Sequence, residues 1–339
     1  MDDISTDPSN RFDVSVVIAT YNRSHLIRGA VESVLRQQSS AGAVFEILVV
    51  DNNSTDGTKG VVNSLMREHQ GCLRYLFEPR QGVSHARNRG VAAARAPVVA
   101  FMDDDVRAGP GWIGAIKAVF DQHPYVSLAG GKVLPDWRRP APRWLTRHHW
   151  MPLALLDYGD VPIRIDVSTR IGLISANCAL RKDVLVRAGG FAPALQRVRD
   201  GIGSMEDHEL FERLFRAGAC GLYWPQLQVT AVTAPERLTR AYHRRWHFEH
   251  GRFYAVYRSR SVEETATGRL FDVPAHLYRQ MAVDAMKWLE CIVSLKTSEA
   301  FAYENRLRFF AGFFSKRLRQ YLDTSGAGDR RTSWRSPAP

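Results

Sequence analysis

The sequence predicts an α/β fold in which a mixed, mostly parallel sheet is flanked by helices and followed by a C-terminal helical region. Short apolar runs rich in β-branched residues alternate with segments of helical periodicity over residues 14–102. Strands that alternate with helices are typical of parallel sheets with right-handed crossovers. The runs are continuously apolar, which indicates strands buried within the sheet.

The elements of the first half follow from this alternation of apolar runs and polar turns. Apolar side chains at helical spacing predict a helix over 25–37, a second helix after the turn 51–58, and a loop and helix over 82–94. Residues 1–12 are rich in Asp, Ser and Pro, which predicts a disordered leader. The predicted strands are 14–19, 45–50, 73–77 and 98–102.

Polar residues stand at the carboxyl ends of three of these strands. Asn22 follows the first strand, Asp51 and Asp56 follow the second, and residues 103–105 follow the fourth. In parallel sheets the ligand crevice lies beyond the carboxyl ends of the strands. We therefore expect these side chains to form one polar mouth with room for a nucleotide diphosphate.

Three consecutive carboxylates, Asp103, Asp104 and Asp105, end the fourth strand. Like charges within a few Å repel, so the cluster requires a bound cation or side chains that point in different directions. Carboxylates are preferred ligands of Mg²⁺ and Mn²⁺, often together with substrate phosphates. The triplet indicates a metal–diphosphate site; the alternative is a solvated acidic turn that caps the next helix.

Roles in donor binding are open to two interpretations for Asp51 and Arg87. Asp51 is placed to accept hydrogen bonds from a base or ribose, or else to cap a turn. Arg87 and Asn88 are placed to line the same mouth at a helix start, or Arg87 pairs only with a neighbouring acid. Asp103 is assigned to the ribose and Asp105 to the metal.

Composition limits the class of protein. The 339 residues suffice for one large or two smaller domains. The formal charge of +11 indicates an anionic partner such as nucleotide-sugar phosphates, a lipid surface or nucleic acid. Four separated cysteines without a CxxC pair argue against zinc and for a reducing compartment. The acidic start 1–4 and the lack of long apolar runs predict a cytoplasmic protein without signal peptide or membrane span.

A series of motifs resembles the successive signatures of inverting family 2 glycosyltransferases of the GT-A fold, a Rossmann-like fold of the nucleotide-diphospho-sugar transferase superfamily. The resemblance covers roughly residues 14–255, in the family's order. It implies that Asp51 contacts the donor base, that residues 103–105 form the DxD element, and that Asp207 is the catalytic base. The motifs are 16–22, 49–58, 82–90, 101–112, 130–133, 176–181, 189–191 and 205–210.

The role of Asp207 is also argued from chemistry. Sugar transfer from a nucleoside diphosphate requires neutralisation of the diphosphate and deprotonation of the acceptor hydroxyl, which a positioned carboxylate performs. Glu206 and Asp207 follow the flexible stretch 199–204 and open a helical segment, where the helix dipole favours an ionised carboxylate. The alternative is that both are only N-terminal helix acids.

The segment 134–150 is too rich in Pro for a helix and too rich in Trp for a plain linker. Tryptophan faces stack on sugar rings and arginines hold phosphates, which predicts an acceptor-side lid. A Trp-anchored surface loop that covers the core is the alternative. Trp137 and Trp144 are the aromatic candidates.

The sequence departs from the family pattern after Pro225. Many relatives carry a His metal ligand shortly after this step, whereas 229–233 contains none. The strength or nature of metal binding is therefore in question. Arg245 and Trp246 resemble the end of the Gln-x-x-Arg-Trp motif of processive synthases, but Tyr242 replaces the Gln. Because the sequence predicts no transmembrane helices to form an export channel, we expect a non-processive enzyme. The basic cluster around Arg245 and Trp246 is a candidate for binding the diphosphate or the acceptor; the alternative is a solvated basic face.

The C-terminal part predicts helices over 277–295 and 306–322 and a disordered tail over 324–339. The second helix combines aromatic and basic side chains, which is typical of a helix at a membrane interface. Packing of its apolar face against the protein is the alternative. Membrane contact through 306–322 at the inner face would suit a lipid-linked acceptor.

These observations predict a GT-A domain over 13–255, divided into a nucleotide-binding half (13–110) and an acceptor half (111–255), and a helical region over 256–323. The expected activity is inverting, metal-assisted, non-processive transfer of one sugar from a UDP-, GDP- or dTDP-linked donor to a hydroxyl acceptor. The acceptor is a glycan, lipid-linked saccharide or natural product, and no nucleic acid is expected. A nucleotidyltransferase, or a basic protein that binds acidic lipid or nucleic acid, is the rival.

The predicted site comprises residues from every part of the chain. The sugar, the base, the acceptor and the oligomeric state do not follow from the sequence. The expected cofactor is Mg²⁺ or Mn²⁺. The predicted residues are Asp207 and Glu206 for catalysis; Thr20, Tyr21, Asn22, Asp51, Asn53, Arg87, Asp103 and Asp104 for the donor; Asp105 and Asp103 for metal; and Trp137, Trp144, Asn177, Arg245 and Trp246 for acceptor or diphosphate.

Overall fold

A computed structural model of the chain contains two compact units, Met1–Leu238 and Thr239–Pro339, here called the sheet unit and the helical unit. The division falls ahead of the predicted domain boundary at residue 255. The predicted leader, except Phe12, most of the predicted tail and much of the stretch 199–204 lie outside the described residues. The structure describes residues 12–37, 42–69, 71–169, 171–196, 201–202, 205–258, 260–263 and 268–326.

The first half of the sheet unit alternates strands and helices as the sequence predicts. The strands of this half that lie inside the sheet are buried almost throughout, and their β-branched side chains suit a packed sheet. The elements are β1 (Val14–Thr20), α1 (Ser24–Leu35), β2 (Phe45–Asp51), α2 (Thr58–Glu68), β3 (Leu73–Phe77), α3 (Val83–Ala93) and β4 (Val98–Met102).

The register of these parallel strands brings their carboxyl ends together. The strand order is β3-β2-β1-β4, and all three pairings are parallel. Thr20 lies opposite Asp51, and Asp51 lies opposite Phe77. The loops that follow β1, β2 and β4 therefore start at one edge of the sheet, as predicted for a ligand crevice.

The second half of the sheet unit adds antiparallel strands. β8 pairs antiparallel with both β4 and β6, so the whole sheet is mixed. Short 3-10 turns occur at Arg147–His149, Met151–Leu153, Pro193–Leu195 and Pro235–Leu238. The further elements are β5 (Val106–Ala108), α4 (Trp112–Gln122), β6 (Val126–Asp136), β7 (Ile163–Ile165), β8 (Asn177–Arg181), α5 (Lys182–Arg187), α6 (Glu206–Arg216) and β9 (Cys220–Val232).

The helical unit is built from long helices around a short hairpin. Helix α10 packs against both α7 and α9. Gly251 and Gly312 permit the close approach of α7 and α10, because a Cβ at either position would collide with the backbone of the facing helix. The elements are α7 (Arg240–Tyr257), α8 (Arg260–Glu263), β10 (Arg269–Leu270), β11 (Val273–Pro274), α9 (Ala275–Val293) and α10 (Thr297–Gly326).

The predicted membrane helix 306–322 forms the middle of α10, which is longer than predicted and includes the first three residues of the predicted tail. Its side chains Phe310 and Phe313 are buried inside the helical unit. The packing alternative is thus observed for these two side chains, whereas Leu318, Tyr321 and Leu322 are exposed, and membrane contact through 306–322 stays a prediction. No helix in the described part of the chain is long and apolar enough to cross a bilayer.

Candidate active site

The loops that follow β1 and β2 are joined through Asn22. Its side-chain oxygen accepts a hydrogen bond from the backbone N–H of Thr55 at 2.8 Å, and its own N–H donates to Ser54 Oγ at 2.9 Å. Asn22 adopts a left-handed backbone with a φ of 52°, a conformation that Asn tolerates better than most residues. Asn22 therefore braces the rim of the predicted crevice; its contact with a donor stays a prediction.

The buried carboxylate of Asp51 is held on both oxygens. Oδ1 accepts the N–H of Ser54 at 2.9 Å, which is the turn cap that we gave as an alternative, and Oδ2 accepts the hydroxyl of Tyr75 at 2.8 Å. Burial, together with the hydrogen bond to Asp51, raises the pKa of Tyr75. The phenol therefore stays a donor and fixes the orientation of the carboxylate.

Three other predicted donor residues lie at the same edge of the sheet. Thr20 is buried, and its hydroxyl donates to Asp104 Oδ2 at 2.7 Å, so it links the ends of β1 and β4. Tyr21 is half-buried beside it, and Asn53 is exposed with a φ of 65°. Thr20 is thus a structural link, whereas Tyr21 and Asn53 keep accessible side chains.

The three carboxylates after β4 have different partners. Arg87 lies 3.2 Å from Asp103, Thr20 donates to Asp104, and Arg237 lies 3.4 Å from Asp105. Burial and the charge of Asp105 raise the pKa of Asp104 to about 7, against the hydrogen bond from Thr20. The triplet therefore combines divergent side chains with a local excess of negative charge.

Arg87 connects the end of β4 with the start of α6. Its guanidinium is buried, lies 2.9 Å from Glu206 and 3.2 Å from Asp103, and stands over the ring of Phe191 at 5.3 Å. Burial lowers the pKa of Arg87, but the charges of Asp103 and Glu206 outweigh it and raise the pKa overall. The predicted alternative, a pairing with neighbouring acids, is thus observed, and the guanidinium stays charged.

Glu206 and Asp207 occupy the first turn of α6 but have different surroundings. Glu206 is buried against Arg87, whereas Asp207 is only half-buried. Asp207 Oδ2 accepts the N–H and the hydroxyl of Ser175 at 3.3 and 3.2 Å, and Oδ1 accepts the N–H of His208 at 2.8 Å. Glu206 is held in the buried ion pair, Asp207 keeps an accessible carboxylate, and a catalytic role of either acid stays a prediction.

Asn177 is buried and its amide is used within the protein. Its oxygen accepts the indole N–H of Trp112 at 2.8 Å, and its NH₂ group donates to the carbonyls of Lys132 and Leu227 at 2.9 and 2.7 Å. Asn177 therefore braces β6, β8 and β9, and its contact with an acceptor or a diphosphate stays a prediction.

The aromatic candidates are distributed over both units. Trp137 is half-buried against the core of the sheet unit, as expected for a Trp-anchored loop, and the ring of Trp144 meets His149 edge-on at 5.4 Å. Trp246 lies on α7 in the helical unit and stacks on His250 at 4.5 Å. Arg245 lies beside it on α7. The contacts of these residues with an acceptor or a diphosphate stay predictions.

Asp103 and Asp105 are the side chains that would hold a divalent cation. Among the described residues, no group of three or more His, Cys, Asp or Glu is arranged to bind a metal. Two carboxylates completed by substrate phosphate oxygens are nevertheless a set that suits Mg²⁺. Burial and then the charge of Asp105 raise the pKa of Asp104, and a cation beside these carboxylates would offset their repulsion, so the residues present fit the group.

Three residues of the site were missed by sequence reasoning. Tyr75 orients Asp51, Ser175 holds Asp207, and Arg237 pairs with Asp105. Ser175 directly precedes a recognised motif, which is a weak signal. Tyr75 and Arg237 lie outside the motifs, and their partners are distant in the chain, so no local pattern marks them.

Comparison with known proteins identifies the sheet unit. A family model described as Glycosyl transferase family 2 matches residues 15–188, which is just over half of the chain. A glucosyl-dolichyl phosphate glucuronosyltransferase of Haloferax volcanii is 27% identical over 180 residues, which cover 52% of this chain and 55% of that protein. A validoxylamine A glucosyltransferase of Streptomyces hygroscopicus is 40% identical over 107 residues, 31% of this chain and 23% of that protein. The chain thus spans about half or less of the length of these curated relatives.

Solved structures share the fold. The mannosyltransferase PcManGT of Pyrobaculum calidifontis, in complex with GDP-Man and Mn²⁺, superposes with a TM-score of 0.55 at 18% identity, covering 96% of this chain and 88% of that chain. Residues 1–349 of S. aureus TarS, in complex with UDP, give a TM-score of 0.51 at 18% identity, covering 87% and 90%. At this identity the likeness establishes the predicted α/β glycosyltransferase fold alone.

Proposed function

The chain belongs to glycosyl transferase family 2, and from that premise we propose that it transfers one sugar from a nucleoside-diphosphate sugar to a hydroxyl acceptor, with inversion and without processivity. The acceptor is a glycan, a lipid-linked saccharide or a natural product. Names of relatives support the last two classes, because one acts on a glucosyl-dolichyl phosphate and another on validoxylamine A.

The observation that supports this function best is the double ion pair of Arg87. It ties Asp103, at the carboxyl end of β4, to Glu206, the residue before Asp207. The buried guanidinium thereby connects the carboxyl ends of the parallel strands with the helix turn that carries the proposed base Asp207. A transferase needs this proximity, since donor and acceptor must meet in a fixed geometry.

Asp207 is the proposed general base. Ser175 holds Oδ2 with two hydrogen bonds, and the carboxylate lies in the first turn of α6. The carboxylate takes the acceptor hydroxyl proton as that oxygen attacks the anomeric carbon, and the bond to the nucleoside diphosphate breaks on the opposite face. Because one displacement occurs, the anomeric configuration inverts.

The diphosphate that leaves carries negative charge which the site must balance. Arg87 and Arg237 are the cations that lie against Asp103 and Asp105 in this structure. A divalent cation held by Asp103 and Asp105 would supply further neutralisation of the diphosphate. Asp51, oriented by Tyr75, is the proposed contact for the nucleoside.

Substitution of Asp207 by asparagine tests the base assignment. We expect turnover to fall by about 10²- to 10⁴-fold, because the amide cannot accept the proton, while the donor affinity stays near the wild-type value. Turnover is followed by release of nucleoside diphosphate, and donor affinity by titration calorimetry. Asp183→Asn is the matched control, since Asp183 occupies the first turn of α5 and is exposed.

A thermal-shift screen identifies the donor for this assay. UDP, GDP, dTDP and CDP are each tested with and without Mg²⁺ or Mn²⁺, because a ligand of the native state raises its apparent stability. Full activity of Asp207→Asn would remove the base role. Release of pyrophosphate in place of a nucleoside diphosphate would identify a nucleotidyltransferase instead.

A further inference from the structure

The C-terminal half of α9 and the corner that follows it expose an apolar face. Met286 and Leu289 are 62% and 55% exposed, and Val293 and Leu295 are 83% and 84% exposed. With 3.6 residues per turn, Met286, Leu289, Ile292 and Val293 fall within an arc of about 120° on the helix. We call these four residues and Leu295 the α9 face.

Contacts within the helical unit leave the α9 face uncovered. Helix α9 meets α10 through its other side, where Cys291 is buried and buried Asp284 pairs with Arg306 at 2.9 Å. Leu295 turns the chain towards α10 in a left-handed conformation with a φ of 51°. A leucine there carries backbone strain without gaining burial, which points to a use of its side chain outside the unit.

Positive charge is concentrated in the same unit. Between Thr239 and Pro339 the sequence contains 18 Arg and Lys against 10 Asp and Glu, so +8 of the formal +11 belongs to the helical unit. Arg279, Lys287 and Lys296 are exposed on α9 and its corner. The α9 face is thus apolar and is carried by a strongly cationic unit.

We propose that the α9 face docks on a bilayer surface that contains anionic lipid. Interfacial binding depends on apolar side chains that enter the headgroup region and on attraction between cations and anionic headgroups, and this surface offers both. A second copy of the chain is the weaker match, because contact through this face would bring two units of charge +8 together. This inference concerns a surface other than the predicted contact through 306–322 and is independent of the proposed sugar transfer.

Flotation of the full chain with vesicles tests the docking. We expect binding to vesicles of equal parts phosphatidylcholine and phosphatidylglycerol, and little binding to phosphatidylcholine alone. Val293→Ser and Leu295→Ser are each expected to weaken binding about tenfold, because the lost apolar side chain no longer leaves water. Lys287→Ala and Lys296→Ala are each expected to weaken it about fivefold, with a reduced dependence on salt.

Matched controls separate this surface from general stickiness. Val161 and Val167 are 71% and 68% exposed in the sheet unit, so Val161→Ser and Val167→Ser should leave flotation unchanged. Unchanged urea midpoints show that the variants of the α9 face still fold. The proposal is overturned if the serine variants of this face float like the wild type, or if neutral vesicles bind equally well. A dimer that these variants dissociate, without lipid binding, would assign the face to a second copy instead.

Discussion

Replacement of Glu206 by glutamine removes the negative charge nearest to the buried guanidinium of Arg87. Removal of one partner of a buried ion pair typically costs about 3–5 kcal/mol, because the remaining charge is left uncompensated. Here Asp103 stays 3.2 Å from Arg87, and its side chain is 38% exposed, so it compensates only in part. We expect Glu206→Gln to lower the free energy of unfolding by about 3 kcal/mol, the lower end of that range.

Urea unfolding measures this loss, and an exposed ion pair serves as the control. Asp183 pairs with Arg187 in the first helix after β8, with side chains 61% and 68% exposed. Such i,i+4 pairs at the surface contribute about 0.3–0.5 kcal/mol, so Asp183→Asn should change the free energy of unfolding by no more than that. Glu206→Gln and Asp183→Asn each remove one negative charge from the first turn of a helix, but the arginine that loses its partner is buried in the first case and exposed in the second.

A double-mutant cycle identifies the cause of the loss. If the uncompensated guanidinium is responsible, Arg87→Met combined with Glu206→Gln should cost less than the sum of the two single changes by about 2 kcal/mol. Strictly additive losses, or a loss below about 0.5 kcal/mol for Glu206→Gln, would refute the ion-pair reasoning. Turnover should fall with Glu206→Gln as well, since Asp207 follows directly on the same turn.

Three further predictions concern the loops around the site. Gly82→Ala should destabilise the protein by about 2 kcal/mol or more in urea unfolding, because Gly82 has a φ of 134° and a Cβ there would collide with the side chain of Gln196. The control Gly60→Ala, in open space on α2, should stabilise the protein by about 0.5–1 kcal/mol. Equal effects of the two substitutions on the free energy of unfolding would contradict the prediction. Burial raises the pKa of Asp56, but hydrogen bonds from neighbouring residues lower it overall from 3.8 to about 2. The ionised carboxylate therefore stabilises the fold above pH 3.8, and this contribution is lost as the pH falls through about 2. Asp56→Asn should therefore cost about 1 kcal/mol at neutral pH, allowing for solvent screening, and the difference from the wild type should vanish in acid; a constant difference would contradict the assignment. Tyr75→Phe removes the hydroxyl that orients the acid at the end of β2, so donor affinity by calorimetry should fall about fivefold or more, and an unchanged affinity would separate that acid from donor binding.

The parallel half of the fold was predictable because its signals are local. A β-branched apolar run such as 14–19 has few alternatives to a buried strand, and the polar residues after each run mark where the strand ends. Parallel strands then bring those ends to one edge, so the sequence alone places Asp51 and Asp103 together, and the strand pairings agree. The family resemblance supplied the order of the remaining motifs.

Partners of buried polar groups follow from the folded chain instead. Arg87 and Glu206 are 119 residues apart, and no pattern near either residue shows that Glu206 neutralises a guanidinium while Asp207 beside it stays accessible. The amide of Asn177 likewise looked available for a ligand, yet carbonyls of β6 and β9 use it. Such pairings depend on distances between segments that only folding brings together.

Amphipathic helices likewise have some properties that the sequence determines and others that only the folded structure decides. The sequence alone establishes that the C-terminal region is helical, that its helices have an apolar side, and that the region is rich in basic residues, because these properties depend on side-chain type and spacing. Which apolar side chains are covered is known only from the packing: Phe310 and Phe313 of α10 are buried inside the helical unit, whereas Leu322 and the α9 face are exposed. Periodicity describes a face of one helix, whereas burial depends on the neighbour that packs against it.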